Sequence, residues 1–244
     1  MGFEKDKLTS GYLTHELRSP LTAIRCALEL VLETSASLNR QERDILNAAL
    51  RNTTKLNVLI DDIMQLSKIQ TGRMAMSPSP VQPDALVRET VEDLGPWIQR
   101  KGLALTVKTP IRCPEIFVDA HWTIQSLTNL ISNAIKFTPS GGAIEVSLEE
   151  GQGERSGLMI ISVSDTGCGI APEDIRKVFG YFVQVGPPEH RKQGSGLGLS
   201  LARSMVEIQG GSMWVTSRFG EGATFSFTVP IHVPPPGGAP GKNN

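Results

Sequence analysis

The sequence has few cysteines, no dominant sign of charge and no long apolar run. Its 244 residues include three cysteines, Cys26, Cys113 and Cys168, which are scattered and form no C-x-x-C pair. Their odd number and spacing exclude a disulfide framework and a cysteine-based zinc site, and they favour a reducing compartment. The 24 basic and 25 acidic residues give a net charge of −1, so the composition does not favour binding to nucleic acid.

Membrane-directed features are also missing from the sequence. No apolar run approaches the roughly 20 residues that span a bilayer. The first residues, MGFEKDKL, lack the apolar centre of a signal peptide. We therefore expect this fragment to be cytoplasmic and without membrane contact, and any membrane anchor of a longer parent protein to lie outside it.

Residues 5 to 70 show helical periodicity, with turn-forming residues only near 34–39. In both halves of this segment, mostly apolar residues recur every three or four positions and form a stripe, here called the seam. This spacing predicts two antiparallel helices packed along their length. Since two helices alone bury only part of each seam, we expect a homodimer with a four-helix bundle. The seam positions are Leu17, Leu21, Ile24, Leu28 and Val31, and then Ile45, Ala49, Asn52, Leu56, Leu59, Ile63 and Leu66.

The helical periodicity ends at the proline-rich segment MSPSPVQPD, which predicts a linker. Beyond it, four alternating or apolar runs and three helical periodicities predict an α+β two-layer sandwich, with helices on one face of one sheet. The fold class is therefore an all-α hairpin followed by an α+β domain. The predicted divisions are a hairpin over 1–75, a linker over 76–83, a second domain over 84–231 and a disordered tail over 232–244.

One predicted helix carries an unusual polar face. In SLTNLISNAIKF, Asn129, Asn133 and Lys136 share a face opposite the apolar one. Asparagine is unfavourable inside a helix, because its amide competes for backbone groups. An amide oxygen suits Mg²⁺ and an ammonium suits a phosphate, so this face indicates a nucleotide site. An exposed polar face is the alternative for this segment taken alone.

Two glycine-containing loops follow this helix. In SDTGCGI a strand ends at Asp165, whose carboxylate can accept a hydrogen bond from an exocyclic amine such as that of adenine, and Gly167 and Gly169 allow close approach. In QGSGLGLSL, Gly194, Gly196 and Gly198 immediately precede a predicted helix whose N-terminal amides and dipole favour phosphate. An ordinary D-x-G turn is the alternative for the first loop. The polar segment GPPEHRKQ between them predicts a mobile lid.

The order of these motifs resembles the GHKL-type ATP-binding domain shared by gyrases, heat-shock chaperones, mismatch-repair ATPases and histidine kinases. The hairpin segment THELRSPLTAI looks like the H box of sensor histidine kinases, so the resemblance covers about residues 8–230. It implies a GHKL-type sandwich and a homodimeric protein histidine kinase that uses ATP and Mg²⁺. It also implies phosphoryl transfer to an aspartate of a response-regulator receiver domain.

The resemblance implies a role for each matched residue. His15 is the phosphoryl acceptor, and Glu16 is the base that holds the second ring nitrogen of His15. Asn133 holds Mg²⁺ through the phosphates of ATP, and Asp165 reads adenine, with Thr224 near it. The implied nucleotide-binding residues are Asn129, Asn133, Lys136, Phe137, Asp165, Gly167, Gly169, Gly194, Gly196, Leu197, Gly198 and Thr224.

Three positions modify this expectation. The segment VFGYF has Gly180 and Tyr181 where the family usually has an acidic residue after the first Phe, which predicts altered lid mobility. Ser19, four residues after His15, stands where Thr or Asn is frequent and is a candidate for a phosphatase role. Pro20 predicts a kink in the first helix, because it lacks the N–H that the carbonyl of residue 16 needs.

Two other functions remain open at this point. One is a catalytically silent nucleotide-binding scaffold, which the altered VFGYF segment motivates. The other is a GHKL-type ATPase that hydrolyses ATP and has no need of an H box. A solvated histidine is the corresponding alternative for His15.

Overall fold

The computed structural model describes residues 5–35, 37–186 and 194–234, with side chains from Glu16 onward. Helices α1 (Lys5–Thr34) and α2 (Arg40–Gln70) form the predicted hairpin. A capping box begins α2, because the Asn39 side chain accepts from the amide of residue 42 at 2.9 Å and Glu42 accepts from the Asn39 amide at 2.8 Å. Pro20 lies inside α1, and the kink expected there stays a prediction.

Within the described residues, the second domain contains a five-stranded sheet, a two-stranded sheet and three α-helices. In chain order the elements are β1 (Ser79–Val81), α3 (Pro83–Lys101), β2 (Ala104–Lys108), β3 (Ile116–Val118), α4 (Ala120–Phe137), β4 (Ala143–Glu150), β5 (Leu158–Asp165), α5 (Gly198–Ile208), β6 (Met213–Arg218) and β7 (Gly222–Pro230). The larger sheet has the order β2-β4-β5-β7-β6, in which β2 and β4 are parallel and the other neighbours are antiparallel. The α+β class predicted for this domain is confirmed.

The core of this domain lies between the sheet and the helices. Alternate residues of β5 point into it, and Met159, Ile161 and Val163 are at most 1% exposed. From the helical layer, Leu127 and Ile131 of α4 are fully buried, as the apolar face of that segment predicts. This packing fixes the ends of β5 and α4, where the polar motifs of the sequence lie.

The predicted linker and tail are partly structured. Within residues 76–83, β1 pairs with β3, a strand that the sequence patterns did not reveal. At the predicted start of the tail, the His232 amide donates to the Glu115 carbonyl at 2.7 Å, and the His232 ring stacks on Phe117. Residues 235–244, the rest of the predicted tail, lie outside the described residues.

The two domains contact each other through α2. Leu66 of α2 packs with Leu197, Leu201 and Met205 at the start of α5. A hydrogen bond of 3.1 Å from Gln125 to Gln65 borders this apolar cluster. The contact brings the beginning of α5 against the helical hairpin.

Candidate functional site: a nucleotide-type cavity

A cavity of about 320 Å³ opens at the end of β5, between the sheet and α4. Most of its lining is apolar, with the polar side chains of Asn133, Asp165 and Asp174 placed in it. A largely apolar cleft with a few polar groups is typical of a site for a small organic ligand. The lining residues are Asn133, Phe137, Asp165, Cys168, Gly169, Ile170, Ala171, Asp174, Val178, Val185, Gly186, Leu199, Phe219, Ala223 and Phe225.

Asp165 is the most deeply buried carboxylate of this cavity, with 9% of its surface exposed. It ends β5, and its Oδ1 accepts a hydrogen bond of 2.8 Å from the Gly167 amide. Burial raises the pKa of Asp165, while hydrogen bonds from the backbone of Gly167 and Ala223 partly offset that rise. The carboxylate therefore lies within an apolar cleft as a hydrogen-bond acceptor.

The D-x-G-x-G loop requires glycine at its second glycine position. Gly169 has a φ of +65°, and a Cβ on it would lie 2.0 Å from the carbonyl oxygen of Arg218. Any larger residue would push this loop away from the β6–β7 connection. The close approach keeps the loop against the cavity wall.

The polar face of α4 meets the second glycine-containing loop. A Cβ on Gly198 would lie 3.2 Å from Asn129 Oδ1, and a Cβ on Gly194 would lie 3.5 Å from Lys136 Nζ. Partial burial lowers the pKa of Lys136. The structure thus brings an amide and an ammonium next to the N-terminus of α5, where backbone amides and the helix dipole favour anions.

The segment between the two loops is described only at its ends. Gln184 donates from Nε2 to the Gly194 carbonyl at 2.7 Å, which ties the two ends together. Gly196, with a φ of +73°, packs against the backbone of Phe182. The predicted lid falls largely on residues 187–193, which lie outside the described residues, so its mobility stays a prediction.

Two residues of the predicted site face elsewhere. The hydroxyl of Thr224 is hydrogen-bonded to Ser164 at 2.9 Å, whereas the neighbours Ala223 and Phe225 line the cavity. The reason is the alternation of side chains along β7: contrary to the expectation for Thr224, it is the side chain of Ala223 that faces the cavity. Leu197 is fully buried in the apolar contact with α2, so its side chain holds the domains together and does not line the cavity.

Sequence reasoning missed most of the apolar lining. Ile170, Val178 and Leu199 come from three separate segments that only the fold brings together. Phe225 could have been found from the period-2 pattern of the last strand, counted from Ala223. Cys168, one of the three scattered cysteines, also lines the cavity, and burial raises its pKa.

The predicted acceptor segment lies on α1. The backbone of His15 is helical, and its side chain lies outside the described residues. Glu16 and Ser19 are exposed on this helix. One turn beyond His15, Arg18 forms an ion pair with Asp61 of α2, and the adjacent Asp62 accepts a hydrogen bond of 2.6 Å from Ser195.

This last contact relates the hairpin to the cavity. Ser195 belongs to the glycine-containing loop that faces Asn129 and Lys136. Arg18 is the third residue after His15 in the helix, which is a rise of about 4.5 Å along the axis. The loop therefore contacts α2 close to the level of the predicted acceptor.

Comparisons with known proteins define the class to which this fold and site belong. A family model described as histidine kinase-, DNA gyrase B- and HSP90-like ATPase matches residues 118–233. A second, described as the His Kinase A (phospho-acceptor) domain, matches residues 8–72. The second domain is thus an ATP-binding domain of the GHKL class, and the hairpin is a phospho-acceptor domain.

Curated relatives identify the family more narrowly. The chain is 33% identical over 230 residues to the adaptive-response sensory kinase SasA of Synechococcus sp. (strain JA-2-3B'a(2-13)), covering 93% of this chain and 60% of that protein. It is 33% identical over 221 residues to the sensor histidine kinase WalK of Bacillus subtilis (strain 168), covering 89% of this chain and 35% of WalK. The chain belongs to the sensor histidine kinase family, and it spans less than two thirds of these relatives.

Solved structures agree with this assignment. Full-length ShkA in complex with AMPPNP superposes with a TM-score of 0.75 at 28% identity, covering 91% of this chain and 45% of ShkA. The catalytic domain of the histidine kinase ThkA gives a TM-score of 0.56 at 27% identity, covering 64% of this chain and 97% of that domain. Within the described residues, none of the helices combines the length and apolarity needed to cross a membrane.

Proposed function

We propose that this chain binds ATP with Mg²⁺, phosphorylates His15 and passes the phosphoryl group to an aspartate of a response-regulator receiver domain. The observation that carries the proposal is the cavity with Asp165 at its base, in one chain with a phospho-acceptor hairpin. The contact of Ser195 with Asp62 supports it further, because the phosphate end of the site touches the acceptor domain.

The cavity suits a nucleotide in one orientation. Asp165 accepts a hydrogen bond from the exocyclic amine of adenine, and the apolar walls bury the base. The phosphates extend towards Asn129, Lys136 and the amides at the start of α5. Gly167 and Gly169 shape the wall beside the base.

The donor set also fits a magnesium ion bound together with the phosphates. Asn133 is half-buried in the cavity wall, and its amide oxygen is a hard ligand of the type Mg²⁺ prefers. When bound, Mg²⁺ neutralises charge on the phosphates. Asn133 would hold it, while Lys136 supplies a positive charge that is independent of the metal.

The acceptor chemistry belongs to the hairpin. The imidazole of His15 attacks the γ-phosphorus of ATP, the bond from that phosphorus to the β–γ bridging oxygen breaks, and ADP leaves. Glu16 takes the proton from the second ring nitrogen as the new N–P bond forms. The phosphoryl group then moves from nitrogen to the receiver carboxylate, and Ser19 is a candidate for positioning water in the reverse, phosphatase direction.

We further propose that the working unit is a homodimer. The exposed apolar residues of α1 and α2 require a partner surface, and a second copy of the hairpin supplies a matching one. A four-helix bundle buries these side chains in its centre.

Incubation with γ-labelled ATP and Mg²⁺ tests the proposal. We expect acid-labile, base-stable label on the protein, which is lost in His15→Gln and Asp165→Ala. The matched control is His121→Gln, because His121 is an exposed histidine on α4, and this variant should be labelled like the wild type. Labelled free phosphate with unlabelled protein would contradict the kinase assignment in favour of an ATPase, and bound nucleotide with neither product would favour a silent scaffold.

A further inference from the structure

Phe219 is an unusual member of the cavity wall. It lies in the connection between β6 and β7, lines the cavity, and has 68% of its surface exposed. Every other residue that lines the described part of the cavity is buried or half-buried. A large aromatic ring exposed at the mouth of an apolar cleft leaves an apolar surface that a ligand can cover.

The backbone around Phe219 is held firmly against the D-x-G-x-G loop. The Gly220 amide donates to the Cys168 carbonyl at 2.8 Å, and the Ile170 amide donates to Ser217 Oγ at 2.9 Å. A Cβ on Gly169 would lie 3.0 Å from the Cα of Phe219, so the two loops are in direct contact. The backbone that carries the Phe219 ring is therefore held in place at the cavity mouth by the D-x-G-x-G loop.

The position of these two contacting loops places the Phe219 ring at one end of the cavity. The loop that contacts Phe219 begins at Asp165, which pairs with Ala223 on the same strand that follows Phe219. The side chains of Asn129 and Lys136, at which the proposed function places the phosphates, lie next to Gly198 and Gly194 and do not contact the two loops around Phe219. Phe219 therefore lies at the Asp165 end of the cavity, where the proposed function places the base.

We propose that Phe219 is a further nucleotide-contacting residue, whose ring covers the purine base of ATP or ADP at the cavity mouth. This inference rests on the proposed function, because it needs a nucleotide in this cavity. Offset or edge contact between two aromatic systems stabilises by about 0.5–1.5 kcal/mol beyond area burial. Removal of the ring also removes the apolar area that it buries, so binding of the base should weaken about fivefold to tenfold.

Calorimetric titration of the full chain with ADP and with inorganic triphosphate tests the assignment. For Phe219→Ala we expect the Kd for ADP to rise about fivefold to tenfold and the Kd for triphosphate to change less than about twofold. Phe219→Tyr keeps the ring and should bind ADP like the wild type. The matched control is Trp97→Ala, an aromatic residue 54% exposed that packs on Arg100 and is not part of the cavity wall.

The outcomes separate this inference from the proposed function. If the wild type binds ADP and Phe219→Ala binds it equally well, the inference is wrong and the proposed function stands. If Phe219→Ala weakens ADP and triphosphate to the same extent, the ring acts on the loop rather than on the base, which also overturns the inference. A wild type that binds neither ADP nor ATP overturns both proposals.

Discussion

The hairpin and the second domain differ in how completely one chain buries their apolar side chains. On α1 and α2, among side chains from Glu16 onward, only Thr53 and Leu66 are buried. In the second domain Phe227, Ile131 and Val146 are fully buried, together with most of the apolar residues around them. The second domain therefore has its own core, whereas the hairpin has an apolar seam that a single chain leaves exposed. This difference explains why we expect one domain to be stable alone and the other to need a second copy.

The largest expected effect is on association of the hairpin. Leu56 and Ile63 are 48% and 43% exposed in the single chain, so Leu56→Asn with Ile63→Asn should cost the monomer little. About half of each side chain is already covered in the single chain, so dimer formation buries the other half, which contributes roughly 0.7–1.5 kcal/mol at each of the two copies of each position. We expect the dimer dissociation constant, determined by analytical ultracentrifugation, to rise by about two to four orders of magnitude.

The control for this experiment uses exposed polar positions of the same helix. Arg51→Asn with Lys55→Asn should leave the dimer mass unchanged. The proposed homodimer interface would be contradicted by a wild type that sediments as a monomer. It would also be contradicted if the variant with Leu56→Asn and Ile63→Asn stays dimeric.

The next effect concerns the core of the second domain. Phe227→Ala should lower the free energy of unfolding by about 3–5 kcal/mol, because it leaves a cavity in a fully buried site of β7. Urea unfolding followed by circular dichroism measures this change. Phe117→Ala is the matched control, since Phe117 is 42% exposed on β3 and should cost less than about 1.5 kcal/mol. Similar losses in both variants would contradict the contrast between core and surface.

The smallest effect is on the contact between the two domains. Burial raises the pKa of Asp62, the hydrogen bond from Ser195 lowers it, and the neighbouring Asp61 raises it. We expect docking of the Ser195 loop to supply most of this burial, so that the docked state holds the Asp62 proton more tightly than the undocked state. Docking should then strengthen as the pH falls through the raised pKa and weaken as the pH rises. We expect a change of less than about tenfold in the docking equilibrium between pH 7.5 and 5.

Fluorescence energy transfer between dyes at positions 51 and 207 follows this docking. Asp62→Asn should remove the dependence on pH, because an amide accepts the Ser195 hydrogen bond without titrating. Asp61→Asn is the control, since Asp61 pairs with Arg18 inside the hairpin and should leave part of the pH dependence in place. A pH response retained in full by Asp62→Asn would show that another group titrates at this contact.

The polar face of α4 illustrates what could be predicted locally. Asn129, Asn133 and Lys136 share a face because of helical spacing alone, and the structure brings that face next to Gly194 and Gly198. Thr224 illustrates the limit, because the sequence motif does not reveal which of two neighbouring residues on a strand faces the cavity. That choice follows from the pairing register of β7 with β5.

The sequence by itself determined the helical hairpin, the order of the nucleotide motifs and the buried face of α4, because these depend on spacing within single segments. Only the tertiary structure decided that Phe219 stands exposed at the cavity mouth and that Leu197 and Asp62 join the two domains. These contacts link residues far apart in the chain, and their geometry is set by sheet register and helix packing rather than by local pattern.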